Sequence, residues 1–566
     1  MTNRLSGSSG RLILKHAYIL RRRGYFQASL EAFRWASGYS KSRRIALIEL
    51  CRTLLEMAAV ADAEIIFGEI ASEWPDAWDV QELRGRIDMA VERFPAARDA
   101  FRRAVAAMPD NVSRPQIYGP AVYMESLCDE GNAALAMLER SATEYRGECD
   151  APHGLDVLRL SSEALGRIER DVRRLAASWL APGHRIAAFF LDPGLTLGHA
   201  IIEPFYVANL VAHAYDSVVV LGPPRSKLSS AAQIGLRLSC ARLNYVETDN
   251  PLLRLAGQVE AGVRSCGDLD LMLHNYHGLC RAMFEARLDR NHPAYSGRRY
   301  LELTPDAIER GDEFLRRRGL DRADSVIAMH IRSHNRSKHD WATDSFRNVD
   351  AARFEPAIRY LMDLGMLVVR LGDCRSPPLS INSERFIDLP RASDYDPILD
   401  PYFVRYARFM ISSQSGPCAY ARAFGVPNLV ANSHMFYATL PERQELLAFR
   451  PAFCHVNGER TLLDAPTVVR DQLMRFQMDA SIRDAGLSFG DLSSDTIRAA
   501  TQEMIAWVAS PGQLDSAAQQ RFRALCMKAS VPGANGRRDI VGGFVGYGLP
   551  EARLADALVA AQPDFV

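Results

Sequence analysis

His330 and Arg332 stand two residues apart at the end of an apolar run, Ser325 to Ile331, and the polar segment Ser333 to Asp350 adds Arg336, Lys338, His339, Arg347 and Asn348. A guanidinium offers a planar fork of donors to paired oxygens, so this concentration of cations suits a diphosphate. A solvated basic loop with a structural histidine is the plainer alternative. A second group lies in Arg408 to Asn432, where an apolar run passes straight into Ser412, Ser413, Gln414, Ser415 and Gly416. Pro417 opens a short helix there and Gly425 closes it. Backbone N–H groups and three serine hydroxyls would then face an anion, unless Ser415 serves only as a helix cap. Gly372 and Asp373 end the run Met366 to Asp373, and Asp373 could accept from a base or a ribose hydroxyl or simply make a turn. After a first apolar run, Arg185 to Leu191, come Asp192, Gly198, His199 and Glu203. Glycine lets a backbone approach a ligand closely, and His199 would start a helix facing a cleft; a capping or packing histidine is the alternative.

These residues need a scaffold that gathers strand ends. The runs 186–191, 217–222, 271–276, 325–331, 366–372, 408–412 and 428–432 read as buried strands, with helical patterns such as Thr304 to Gly319 and Ala352 to Gly365 between them. That alternation predicts parallel sheets, in which ligands bind outside the carboxyl ends of the strands. Residues 12–180 read instead as helix after helix. Gly85, Phe94, Ala97, Phe101, Ala104 and Pro109 fit a tetratricopeptide-like unit, with further copies suggested at Gly24, Phe26, Phe33 and Ala36 and at Gly131 and Ala136. An irregular helical bundle would also suit this segment. The expected architecture is multidomain, α followed by α/β: helical repeats over 1–180, two Rossmann-like doubly wound domains over 181–323 and 324–508, and a tail over 509–566 with a Gly-rich patch and a short helix.

The 566 residues suffice for several domains at roughly 150 residues each. Lys and Arg, 68, balance Asp and Glu, 68, so no global field draws the chain to nucleic acid or an anionic membrane, and a charged ligand must be held locally. None of the ten cysteines forms a C-x-x-C pair, which predicts reduced thiols and a cytoplasmic protein. Met1 to Gly10 carry no signal-peptide pattern, and no apolar run approaches the ~20 residues that span a bilayer. Metal-ligand spacings, a P-loop, a G-x-G-x-x-G fingerprint and a G-x-S-x-G elbow are all missing, which disfavours NTPase, nicotinamide dehydrogenase and serine hydrolase chemistry.

Taken together, His330-Ile331-Arg332, Arg347 to Asp350, Val369 to Asp373 and Ser412 to Pro427 resemble a family of bacterial glycosyltransferases often found with tetratricopeptide repeats, over roughly Ala181 to Ala431. Gly198-His199 resembles the Gly-His turn after the first strand of many transferases of the two-Rossmann, GT-B type. The His-x-Arg and Ser-rich strand ends are more distantly similar to fucosyltransferases that use a guanosine diphosphate sugar. Ser333 departs from both, standing where those enzymes have Arg and the closer family Asp. The resemblance implies transfer of a hexosyl or deoxyhexosyl group from a nucleotide sugar to a glycan or protein acceptor. His330, Arg332, Arg347, Asn348, Gly372, Asp373, Ser412, Ser413, Ser415 and Gly416 would hold the donor, with Gly198 at the cleft. Arg332 would balance charge on the departing diphosphate, so neither a metal nor a resident cofactor is expected. An inverting displacement needs a base across the cleft: His199 first, Asp192 or Glu203 otherwise. The repeats would recruit a protein partner, with the protein in the cytoplasm or docked peripherally at the inner membrane. The competing reading is a scaffold with a degenerate transferase-like region; an epimerase or phosphatase would lack its cofactor fingerprint or its nucleophile and metal set.

Overall fold

The structure, a computed structural model, describes residues 7–22, 26–57, 59–91, 93–109, 162–191, 196–211, 213–250, 262–288, 300–322, 325–333, 345–372, 376–434, 445–456, 459–470, 486–510, 516–528, 531–532, 538–539 and 552–566, with a few single residues between them. It divides into two compact units, one of Met1–Arg174 with Asn250–Gly262, the other of Leu175–Asp249 with Val263–Val566.

The first unit is helical. Ala-, Leu- and Arg-rich segments form α1 (Gly7–Arg22), α2 (Phe26–Ser37), α3 (Arg43–Glu56), α4 (Val60–Glu73), α5 (Trp78–Ala90) and α6 (Phe94–Ala107), and successive helices α1 to α4 pack on one another, as do α5 and α6. The α5–α6 pair realises the repeat pattern physically: a Cβ on Gly85 would lie 2.8 Å from the Phe101 ring, so that ring packs where only a glycine leaves room. Ala97, Phe101 and Ala104 are buried on α6, as are Phe33 and Ala36 on α2. Gly24, Gly131 and Ala136 lie outside the described residues. Alternating charges tie α1, α3 and α5 together through Arg21–Glu49, Glu49–Arg52, Arg52–Glu82 and Glu82–Arg86. Burial opposes ionisation of Glu82, but Arg86 and Arg52 outweigh it and hold the carboxyl below its usual range.

The second unit carries two sheets built around parallel strands, the first with an antiparallel hairpin at its edge. β1 (Ile186–Phe190), β2 (Ser217–Gly222), β3 (Asn244–Glu247), β4 (Gly262–Cys266) and β5 (Leu269–Leu273) lie in the order β3-β2-β1-β5-β4, with β1 parallel to β2 and β5 and with β4–β5 as the hairpin. β1 is buried on both faces, which explains its unbroken apolar sequence. The chain runs outward from β1 and then returns to β5, so the crevice outside the carboxyl ends of β1 and β5 is a switch point. The second sheet uses β6 (Val326–His330), β7 (Leu367–Arg370), β8 (Phe386–Asp388), β9 (Phe409–Ser412), β10 (Asn428–Ser433) and β11 (Glu445–Phe449). Its order is β8-β7-β6-β9-β10-β11, the doubly wound Rossmann order, with its switch point between β6 and β9. An antiparallel sheet of β12 (Ala452–Val456), β13 (Glu459–Leu462) and β14 (Leu487–Phe489) and a ribbon of β15 (Val531–Pro532) and β16 (Arg538–Asp539) follow.

Residues 552–566, read from sequence as part of a separate tail, are built into the second sheet. β17 (Ala552–Leu554) adds to its edge alongside β11, and Phe449 has Phe522 at 5.7 Å and Phe565 at 5.8 Å between ring centroids. The Gly-rich patch lies almost wholly outside the described residues.

Candidate functional site

β6 ends at His330, directly opposite Ser412 on β9. The Ser413 N–H donates to the His330 carbonyl at 2.9 Å and the Arg332 N–H to Ser413 Oγ at 2.7 Å, so two strand ends are stitched together at the switch point. Arg332 Nε donates to Asn348 Oδ1 at 3.1 Å, and Arg347 Nη2 donates to the Gln414 carbonyl at 3.0 Å. Gly372 follows β7 with φ 122°, and a Cβ there would lie 3.0 Å from the His330 ring, so both backbone and imidazole require glycine. His330, Arg332, Arg347, Asn348, Gly372 and Ser413 are therefore gathered in one place, two guanidinium groups among them. Asp192, Arg336, Lys338, His339 and Asp373 lie outside the described residues.

The serine loop differs from expectation. Ser412 is fully buried; its hydroxyl donates to Asn428 Oδ1 at 2.9 Å and accepts from the Cys418 thiol at 3.2 Å. Its side chain is thus enclosed between Asn428 and Cys418 rather than open to a ligand. Ser413 commits its hydroxyl to Arg332. Of the three expected hydroxyls Ser415 is left, and it does not cap the helix, whose first flanking residue is Pro417. The Ser415 and Gly416 amides have no acceptor among the described residues. The helix Cys418–Phe424, closed by Gly425 at φ 70° as predicted, has only seven residues, so loop amides rather than a helix dipole are what this segment offers an anion.

Behind these groups lie residues that the sequence did not reveal as part of the site. Gln414 Oε1 accepts from Ser433 Oγ and from the His434 N–H, each at 3.2 Å. Arg450 donates to the Asn348 carbonyl at 3.1 Å and to the Gly490 carbonyl at 2.9 Å, and pairs with Asp491. His434 directly follows β10, so the rule that pointed to β6 and β9 could have found it. Its ring is buried edge-on to Phe346 at 4.7 Å, and burial, then Arg347, Arg450 and Arg332, push its pKa well below the usual value. The folded protein thus refuses a proton that the unfolded chain takes up below about pH 6.5. Stability is expected to fall as pH drops through that range, by at most about 1.4 kcal/mol per pH unit from this group. Urea midpoints at pH 7.5 and 5.5 test this: the decrease should be smaller in His434→Gln, and an equal decrease in both proteins would contradict it.

Beyond the first sheet's β1, His199 sits in the first turn of the helix Leu197–Val211. Its Nδ1 lies 2.7 Å from Glu203 Oε1, one turn further along, and its ring meets Tyr276 at 4.5 Å between centroids. Tyr276 opens the helix Tyr276–Leu288 just beyond β5; the sequence placed it at a strand end, but the strand stops at Leu273. Gly198 also makes a close approach to another backbone segment. A Cβ on Gly198 would stand 3.3 Å from Gly416 Cα, and one on Gly416 would stand 3.3 Å from Gly198 N. Two glycines let the backbones at the two switch points approach closely, which brings the start of the helix that carries the His199–Glu203 pair up to the serine loop.

No known family profile and no curated protein matches the chain. Solved structures do. A glycosyl transferase of family 9 from Veillonella parvula DSM 2008 is 14% identical, with 47% of this chain and 85% of that one covered at a TM-score of 0.30. A mutant O-GlcNAc transferase from Thermobaculum terrenum is 13% identical over 99% of this chain and 100% of that one, at a TM-score of 0.23. TTC0263, a tetratricopeptide repeat protein of Thermus thermophilus, is 18% identical over 31% of this chain and 92% of that one, at a TM-score of 0.24.

Proposed function

We propose that this chain is a glycosyltransferase that moves a sugar from a nucleotide sugar, held at the β6/β9 switch point, to an acceptor hydroxyl on the His199 side. The observation that carries this reading is the close approach of two switch points at Gly198 and Gly416, with Arg332 and Arg347 held at one and the His199–Glu203 pair at the other. Arg332, Arg347 and the Ser415 and Gly416 amides neutralise the charge that builds on the diphosphate as the glycosidic bond breaks, with no metal required. His199 takes the acceptor proton, and the new bond forms on the opposite face of the sugar from the leaving group, with inversion. The acceptor is a glycan or a protein, and the helical repeats recruit a protein partner. Among the described residues no helix is long and apolar enough to cross a membrane; a cytoplasmic protein that docks transiently at the inner membrane fits the acceptors proposed.

Calorimetric titration with UDP, GDP, CDP and dTDP, without added metal, tests the reading. One diphosphate is expected to bind selectively at micromolar concentration. Arg332→Ala, which removes a charged donor worth about 1.5–3 kcal/mol, should weaken that binding by roughly 10- to 100-fold while leaving the melting temperature near that of the parent. Binding of none of the four would favour a scaffold, with the repeats as its working surface.

A further inference from the structure

We infer that Glu203 is a positioning residue for His199: its buried carboxylate fixes the imidazole in the tautomer that leaves Nε2 to accept a proton, and sustains the ring's proton affinity against the helix end on which it sits. This rests on the transferase reading.

The sequence put His199 first as the base, with Asp192 or Glu203 as the fallback. For two of them the geometry separates the roles. The Glu203 side chain is 1% exposed and that of His199 29% exposed, so the carboxylate is shut away from solvent while the imidazole reaches it. A carboxylate in its ionised form only accepts, so the 2.7 Å contact is satisfied by the tautomer with its proton on His199 Nδ1 and its lone pair on Nε2. The local field works the other way. His199 is the third residue of a fifteen-residue helix, and the unpaired N–H groups of a helix start carry partial positive charge that disfavours an imidazolium. A carboxylate one turn along, buried and therefore weakly screened, opposes that effect. The Tyr276 ring, tilted 63° to the imidazole at 4.5 Å, packs against its face and restricts ring rotation.

During transfer the acceptor O–H proton passes to His199 Nε2, and the acceptor oxygen forms its bond to the anomeric carbon. The bond from that carbon to the phosphate oxygen breaks, and its electron pair leaves on the diphosphate. The imidazolium is balanced by Glu203 until Nε2 returns its proton to solvent. Glu203 touches neither acceptor nor donor and acts through the ring.

The test reads the ring itself. In protein labelled with ¹⁵N at histidine, the signals that vanish in His199→Gln belong to His199. The neutral form is expected to carry its proton on Nδ1 in the parent. In Glu203→Gln the titration midpoint should fall by at least about one pH unit, the size of a lost close opposite charge, and the other tautomer should become visible. Glu203→Asp keeps the charge and is expected to hold the midpoint within about half a unit of the parent, and this variant also decides the matter if Glu203→Gln does not fold. An unchanged midpoint and tautomer in Glu203→Gln, or a fall in Glu203→Asp as large as that expected of Gln, overturns the inference. Diphosphate titration of the same samples separates it from the parent reading: binding lost everywhere removes the transferase, whereas binding retained in Glu203→Gln with an altered imidazole leaves both standing.

Discussion

Replacement of His199 by Gln is expected to lower turnover of the donor sugar by about 10²- to 10⁴-fold, the range of a lost general base, while the affinity for the matching diphosphate stays within about twofold. Hydrolysis of the nucleotide sugar whose diphosphate binds, with water as acceptor, provides the rate before the natural acceptor is known. The split between rate and affinity is the informative part. His199 follows β1 and the residues proposed to hold the diphosphate follow β6 and β9, so its removal should strip the proposed proton acceptor without loosening the donor. Unchanged turnover would move the base elsewhere, with Asp192 the next residue to replace. Equal losses in rate and affinity would mean that His199 binds the donor instead.

The second large effect is on stability. Arg422→Met is expected to cost about 3–5 kcal/mol, because it strands a charge in the core. Arg422 Nε donates to Glu445 Oε1 at 2.9 Å, with the two side chains 7% and 1% exposed, and Asn428 Nδ2 reaches the same oxygen at 3.4 Å. Burial works against the Arg422 charge, but Glu445 overrides it and holds the guanidinium well above its ordinary pKa. The double variant Arg422→Met with Glu445→Leu should recover most of the loss, since no unpaired charge then remains. Urea unfolding of the parent, both single variants and the double variant measures the difference; a double variant no better than Arg422→Met would show that packing rather than charge sets the cost. The pair also bears on the site, because Asn428 accepts from Ser412, and Ser412 leads into the loop that meets Gly198.

Much of this arrangement was legible because its strands are simple. β1, β2, β6, β7, β9 and β10 are apolar runs bounded by turn residues, and each lies where those runs predicted. The missed strands had other reasons. β3 and β4 are partly exposed and mixed in composition, and β8 has three residues, too few for a period to register. β11 begins with Glu445, which reads as surface until Arg422 is seen beside it. In the site, His330, Arg332, Arg347, Asn348, Gly372 and Ser413 could be found because a parallel sheet presents its carboxyl ends to ligands. The fate of Ser412 depends on Asn428 and Cys418, which approach only in three dimensions. Tyr276 and Arg450 likewise acquire their roles from partners distant in sequence, His199 in one case and Asn348 and Asp491 in the other.

The edge strand β17 has a consequence for how the chain acquires its shape. Leu446 and Leu447 on β11 pair with Arg553 and Leu554, across a long intervening stretch of chain. Such a pairing must close a large loop before it gains any contact, so it belongs to the slow end of folding. Until β17 arrives, β11 presents a row of unpaired N–H and C=O groups on a buried, apolar strand, an invitation to pair with a strand of another molecule. Substitutions that weaken the β11–β17 pairing would therefore show first as association between chains during refolding.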